Sequence, residues 1–234
     1  MIFIKSLKRW PKALSWIMGS LAAVVIGSLF YASSEDPEIV LTIGDTYQEM
    51  RERSSANFSP LISGHVWTGI PKSDARLRFR DPQFGFVTVP ARFLVIFFDD
   101  NIIESVRISP QVEPLLLDDA LRVALDLQDQ WRSKGWVLTN PISDPAFEDT
   151  PQWRERLRGI QGGRTYWQAA DKYQVMMALN RFADDRRPDE ERYLFSIGLG
   201  PPWTPREDEP FEVEQNCESL AACSTQSTGS QQSE

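Results

Sequence analysis

The residue types that most often perform catalysis are few in this chain of 234 residues. Its one histidine is His65, and its two cysteines are Cys217 and Cys223. A serine or cysteine nucleophile needs a histidine as its general base, and a zinc site needs several histidine or cysteine ligands. No nucleophile-elbow motif is present, and His65 lies beside Trp67 in a predicted strand. We therefore predict no catalytic residue, no metal site and no cofactor, and interpret His65 as a structural or surface residue.

Adjacent carboxylates are the next candidates for acid–base chemistry. They occur as Asp99-Asp100, Asp118-Asp119 and Asp184-Asp185. Glycoside hydrolysis needs two carboxyl groups that face each other across a cleft, one of them with a raised pKa. Sequence neighbours point in different directions, and turns and helix starts favour aspartate in any case. We interpret these pairs as structural, and a glycan or peptide hydrolase built from distant carboxylates is the alternative.

Glycine, arginine and aromatic residues form the other notable groups. The stretch 159–163, Gly-Ile-Gln-Gly-Gly, lacks the Lys-Ser/Thr of a phosphate loop and is interpreted as a flexible connector. Arginine and aromatic residues are favoured at protein interfaces, although an ordinary strand with one exposed face is the simpler interpretation of each stretch. The candidate interaction residues are His65, Trp67, Arg76, Arg78, Arg80, Arg164, Tyr166 and Trp167.

In the first half of the chain, most of these candidate residues lie in predicted strands. Asp45 or Thr46 can cap a short helix that ends near Arg53. Between residues 61 and 108 apolar and polar residues alternate with a period of two, which predicts an antiparallel meander of about four strands. The turn Asp99-Asp100-Asn101 joins two apolar runs and predicts a hairpin.

The second half of the chain contains the clearest helix, over residues 118–134. Leu117, Leu121, Ala124, Leu127 and Trp131 lie on one stripe of this helix, and Gly135 ends it. A further strand is predicted near Trp136, and a short helix begins at Thr150-Pro151. Residues 172–183 and 193–199 are predicted as a second hairpin, with a helix as the alternative for 172–183 because Met, Ala and Leu favour helices.

The longest apolar stretch spans residues 13–32, which are twenty residues without a charge. A helix of that length crosses the ~30 Å hydrocarbon layer of a bilayer once. Residues 1–12 carry four positive and no negative side chains, so this basic flank should stay in the cytoplasm while the rest is exported. The alternative is a signal peptide that is cleaved near Ala32. The apolar region of a signal peptide is only ~7–15 residues long, which is shorter than residues 13–32.

Small residues recur every four positions in the predicted anchor, at Ser15, Gly19, Ala23 and Gly27. Such a face can bring two membrane helices together as a homodimer, although small residues are also simply common in membrane helices. Near the other end of the chain, Cys217 and Cys223 can close a small disulfide loop in an oxidising compartment.

Charge limits the choice of partner. The net charge is −8, and it becomes −12 from Ser33 onward because the basic flank is then left out. Phosphate groups would be repelled, so we predict no nucleic-acid partner. Residues 33–38 are interpreted as a linker, 39–202 as the exported α+β domain and 203–234 as a disordered tail rich in acids, serine and glutamine.

These observations predict an α+β protein with an N-terminal single transmembrane helix. An antiparallel sheet of hairpins follows, packed with one long and one or two short helices. The expected location is the inner membrane of a cell, with the domain exported, in the periplasm if the host is bacterial. The expected function is non-catalytic binding of an envelope protein or ligand, as an assembly accessory or as an immunity-type protein. A spacer that positions residues 203–234 for a partner is a further alternative.

Overall fold

The computed structural model describes residues 36–60 and 67–206. The predicted anchor with its basic flank, His65 and both cysteines lie outside the described residues. Among the helices that are described, none is long and apolar enough to cross a bilayer. The described residues form an α+β fold with three helices and mostly antiparallel sheets, as the sequence predicts at this level.

The chain divides into two compact units, with the boundary between Leu115 and Leu116. The elements of the first unit are β1 (Glu38–Leu41), α1 (Tyr47–Arg53), β2 (Trp67–Gly69), β3 (Arg76–Phe79), β4 (Phe86–Val87), β5 (Phe93–Asp99) and β6 (Ile102–Ser109). Those of the second are α2 (Leu117–Ser133), β7 (Val137–Leu138), α3 (Pro151–Arg158), β8 (Gly163–Ala169), β9 (Tyr173–Phe182) and β10 (Arg192–Gly200).

The strands of the first unit belong to two sheets. Strand β3 lies between β1 and β4, parallel to β1 with Glu38 opposite Arg76, and antiparallel to β4. Strands β2, β5 and β6 pair antiparallel in that order. The predicted single meander is therefore wrong, because β3 and β4 do not join the β5–β6 hairpin. Alternation along a strand indicates which side chains are buried but not which strand is the neighbour.

Local signals correctly predicted two features of the first unit. Asp100 and Asn101 have φ of 40° and 82° in the turn between β5 and β6, and both residue types tolerate this left-handed conformation. Thr46 caps α1, because its hydroxyl accepts from the N–H of Glu49 at 3.2 Å while the Glu49 carboxylate accepts from the N–H of Thr46 at 2.8 Å. Two hydrogen bonds to the Glu49 carboxylate lower the pKa of Glu49, first the one from the Thr46 N–H and then one that the Thr46 hydroxyl donates at 2.8 Å.

The second unit has an antiparallel sheet in the order β7–β8–β9–β10. The helix alternative for residues 172–183 is thus wrong, and the hairpin prediction is confirmed. Every residue of the predicted stripe on α2 is buried, and the Trp131 ring lies 5.8 Å from that of Trp167 on β8. Helix α3 begins at Pro151 with Thr150 as its cap, as predicted.

A buried glutamine attaches the loop between β7 and α3 to helix α2. Gln128 donates from Nε2 to the carbonyl of Phe147 at 2.9 Å, and its Oε1 accepts from the N–H of Phe147 at 2.8 Å. Both side chains are buried. The amide thus satisfies both backbone groups of one loop residue inside the core, where they would otherwise lack partners.

Candidate functional site

Three of the predicted interaction residues of the first unit, Arg76, Arg78 and Trp67, make contacts inside that unit. Arg76 forms an ion pair with Asp36 at 2.5 Å, and Arg78 forms one with Glu38 at 2.9 Å, across the parallel strands β1 and β3. The Trp67 ring is half-buried and lies 5.0 Å from that of Phe98 and 5.6 Å from that of Tyr47.

Arg80 differs from the other two arginines of this stretch. It follows β3, its side chain is exposed, and it forms no ion pair with any residue in the described ranges 36–60 and 67–206. Of the three arginines, two therefore neutralise acidic residues of their own unit and one faces solvent.

Strand β8 divides the second predicted group between its two faces. Trp167 is only 2 % exposed, and the guanidinium of Arg132 lies over its ring at 5.2 Å. Trp167 is thus a core residue, and its placement on an interaction surface is wrong. Arg164 and Tyr166 point the other way, with the Arg164 guanidinium 5.4 Å from the Tyr166 ring centre. The strand period of two separates neighbours that the sequence had grouped together.

A groove lies in the second unit between the end of α3 and the loop that joins β9 to β10. We call it the Ile160 groove, and its volume is about 470 Å³. Ile160 is fully exposed and Phe182 is 37 % exposed, so two large apolar side chains meet solvent here. The groove is lined by Arg158, Gly159, Ile160, Arg181, Phe182, Ala183, Asp184, Asp185, Pro188 and Glu190.

The buried carboxylate of the Ile160 groove belongs to Asp184. Burial on its own would raise the pKa of Asp184, but hydrogen bonds from the Arg186 N–H at 3.1 Å and from Arg187 Nε at 3.1 Å outweigh burial and lower it. Asp184 is therefore an anion at neutral pH that shapes the loop. A general acid of a hydrolase needs the opposite change.

Charges at the rim of this groove are held in pairs. Arg158 Nε lies 3.3 Å from Glu191 Oε1, and Arg192 pairs with Glu190. The Tyr193 hydroxyl donates to Glu191, and burial, together with this carboxylate, raises the pKa of Tyr193. The phenol therefore stays protonated at physiological pH and serves as a hydrogen-bond donor.

A second depression, the Asp144 cleft, has a volume of about 390 Å³. Asp144 is buried at its base, and its Oδ1 lies 3.2 Å from Arg164 Nε. Arg156 brings a second guanidinium to the cleft, stacked 4.7 Å from the Trp153 ring centre. The cleft is lined by Asp144, Arg156, Gln161, Gly162, Gly163, Arg164, Ala178 and Asn180.

The glycines in this cleft are packing positions. Gly162 has φ of +60°, and a Cβ there would overlap the side chain of Asn180 and lie 2.6 Å from the carbonyl oxygen of Leu179. Gly163 is buried and begins β8. Because Gly163 belongs to β8, the prediction of a connector is wrong for that residue, while 159–162 connect α3 to β8.

The acid pairs that could have supported a hydrolase lie at turns and at a helix start. Asp99 and Asp100 lie at the β5–β6 turn. In the first turn of α2, Asp118 pairs with Arg154 at 2.6 Å and Asp119 pairs with Arg122 at 2.9 Å. Residues 36–60 and 67–206 also contain no group of three His, Cys, Asp or Glu side chains placed to hold a metal ion.

The residues that define the Ile160 groove escaped the sequence analysis. Ile160 stands alone between glycine and glutamine, outside any apolar period. Phe182 is the last residue of β9, and its side chain is exposed. The sequence contains no signal that singles them out, because isolated apolar residues are common on protein surfaces.

No family model, curated protein or solved structure matches this chain.

Proposed function

We propose that this chain is a single-pass membrane protein whose exported α+β domain binds an envelope protein without catalysing a reaction. The Ile160 groove is the proposed binding site. The observation that carries the proposal is the exposure of Ile160 and Phe182 in a groove that is bordered by charges of both signs.

An apolar centre with a charged rim is the usual anatomy of a protein interface. Burial of apolar side chains supplies most of the affinity, and rim charges select the partner. Ile160 is fully exposed in the free chain, so a partner that covers it would remove apolar area from water at about 25 cal/mol per Å². Arg181 and Asp185 also line the groove, and their opposite charges would set the register of that partner.

Net charge supports a protein partner over a polyanion. From Ser33 onward the chain carries a net charge of −12, which opposes the approach of nucleic acid or anionic lipid. A partner with a basic surface would be attracted at long range. Both an assembly accessory and an immunity-type protein that blocks a basic toxin fit this description.

The hydrolase alternative finds less support in the same groove. Its buried carboxylate, Asp184, has a lowered pKa and is held by Arg186 and Arg187. Glu190 is paired with Arg192. Carboxylates that are already held in ion pairs are better suited to a structural role than to proton transfer.

The proposal is tested by site-specific photo-cross-linking of the full-length chain in its host cell. A photoreactive residue at position 160 should cross-link to one envelope protein, which mass spectrometry then identifies. The matched control is position 142, where Ile142 is 88 % exposed in the same unit but does not line the groove. Phe182→Ala should abolish the adduct at 160.

Two outcomes would contradict the proposal. One is equal cross-linking at positions 160 and 142, which would indicate random collisions. The other is an absence of any adduct at 160 in cells that produce the folded chain.

A further inference from the structure

The end of the described chain is attached to the sheet of the second unit. After β10, the N–H groups of Trp203 and Thr204 donate to Gln174 Oε1 at 3.2 and 2.9 Å, and Gln174 Nε2 donates to the Thr204 carbonyl at 2.8 Å. Gln174 is fully buried. With its amide nitrogen facing the neighbouring carbonyls, Asn140 donates to Pro205 at 3.3 Å.

These contacts bring the chain to the edge of the Asp144 cleft. The carbonyl of Asn140 accepts a hydrogen bond from the N–H of Asp144 at 2.9 Å, in the turn that follows β7. Asp144 in turn contacts Arg164. Pro205 is therefore linked through Asn140 to Asp144, a residue of the cleft lining.

The cleft has a surplus of positive charge. It contains the guanidinium groups of Arg156 and Arg164 but one carboxylate, that of Asp144, which is already bound to Arg164. Arg156 is exposed and forms no ion pair with a carboxylate in the described part of the chain. Gln161 and Asn180 add amide donors at the wall. An anionic ligand fits this arrangement best.

The segment that follows has the complementary charge. Residues 207–214, Glu-Asp-Glu-Pro-Phe-Glu-Val-Glu, carry five carboxylates and no basic residue. Eight residues reach up to about 26–29 Å when extended, which is long enough to cross a cleft of about 390 Å³. Because the segment is tethered beside the cleft, its effective concentration there is on the order of millimolar.

We propose that residues 207–214 bind in the Asp144 cleft of their own chain, with carboxylates on Arg156 and Arg164. This interaction is distinct from the partner contact proposed for the Ile160 groove, and each can fail without the other. It assigns an occupant to the cleft and gives the acidic segment a docking site inside the protein.

The test uses the purified full-length chain with a photoreactive residue in place of Phe211. We expect intrachain adducts to peptides that contain residues 156–164 or 178–180. A photoreactive residue at Gln226, in the serine- and glutamine-rich part of the tail, is the positional control and should give few of these adducts.

Charge variants then decide whether the arginines are responsible. The double variant Arg156→Gln/Arg164→Gln should reduce the adducts at least about five-fold, as expected for the loss of two ion pairs at a surface, and 0.5 M salt should act in the same direction. Arg122→Gln, at an exposed arginine of α2 paired with Asp119, is the matched control and should leave them unchanged. Unchanged melting temperatures verify that each variant is folded.

Three results would overturn the inference. Adducts that do not respond to the double variant would show that the arginines do not hold the segment. Adducts to other peptides would place it elsewhere. Adducts found only between two chains would make the occupant a second copy.

Discussion

Gly163 shows how one missing side chain fixes the packing at the start of β8. A Cβ at this position would overlap Phe147 and lie 3.0 Å from both Leu157 and Trp153. We predict that Gly163→Ala lowers the free energy of unfolding by about 1–3 kcal/mol, because a well-packed core resists an added methyl group. Urea denaturation measures the change.

The matched control for this glycine is Gly198 on β10, where an added Cβ meets no atom within 4 Å. Gly198→Ala should leave the stability unchanged or slightly raise it, since alanine restricts the unfolded chain. Equal destabilisation by both substitutions would mean that the glycine backbone, and not the contact with Phe147, decides the effect.

The lowered pKa of Asp184, in the β9–β10 loop, predicts that the stability of the protein depends on pH. Its pKa is lowered in the folded protein, so it stabilises the fold above the unfolded-state pKa of about 3.9, and this contribution is lost as pH falls through the folded-state pKa. Asp184→Asn should therefore lower the urea midpoint at pH 7, and the difference from the wild type should shrink below about pH 4.

Asp185→Asn is the control for this substitution, because Asp185 is the exposed neighbour of Asp184 in the same loop. It should change the urea midpoint little at either pH. A difference between Asp184→Asn and the wild type that stays constant down to pH 2 would mean that the charge of Asp184 does not stabilise the loop.

At the level of elements, local patterns identified the helices and the hairpins but not the arrangement of strands. Caps such as Thr46 and turns such as Asp100-Asn101 are encoded by a few adjacent residues. The parallel pairing of β1 with β3 joins residues 38 positions apart, Glu38 and Arg76, and no adjacent residues specify it. The same reason explains why Ile160, in the turn after α3, and Phe182, at the end of β9, could not be grouped from the sequence.

The attachment of the β7–α3 loop to α2 gives a prediction at this level. Gln128→Leu keeps a side chain of similar size but removes both hydrogen bonds to Phe147. The free energy of unfolding should fall by about 2–4 kcal/mol, because a buried N–H and a buried carbonyl lose their partners. Chemical denaturation provides the measurement.

Gln130→Leu makes the same chemical change on the half-exposed side of α2 and should alter stability by no more than about 0.5 kcal/mol. Similar losses of stability in both variants would indicate that the polarity of the helix, and not the hydrogen bonds to Phe147, determines the change in the free energy of unfolding.

At the level of the whole molecule, composition divides the chain into segments of different charge and hydropathy, but it does not identify a ligand. The uncharged residues 13–32 and the basic flank before them suggest an anchor, whereas the surplus of acids lies beyond Ser33. This separation underlies the proposal that residues 33–234 are exported, with the groove and the cleft accessible from that side of the membrane.

The proposed orientation can be tested with the two cysteines of the chain. If residues 33–234 are exported, a membrane-impermeant maleimide should label Cys217 and Cys223 in intact spheroplasts after mild reduction. Labelling that requires this reduction would also support a disulfide between them. In a chain with Cys217→Ser, Cys223→Ser and Ser6→Cys, labelling should occur only after lysis, because the proposed orientation keeps position 6 in the cytoplasm. Labelling of position 6 in intact spheroplasts would indicate the opposite orientation. A mature chain that begins near Ser33 by mass spectrometry would mean that residues 13–32 belong to a cleaved signal peptide and not to an anchor. Labelling of Cys217 and Cys223 only after lysis would place the groove in the cytoplasm, and the envelope partner would then be excluded on location alone.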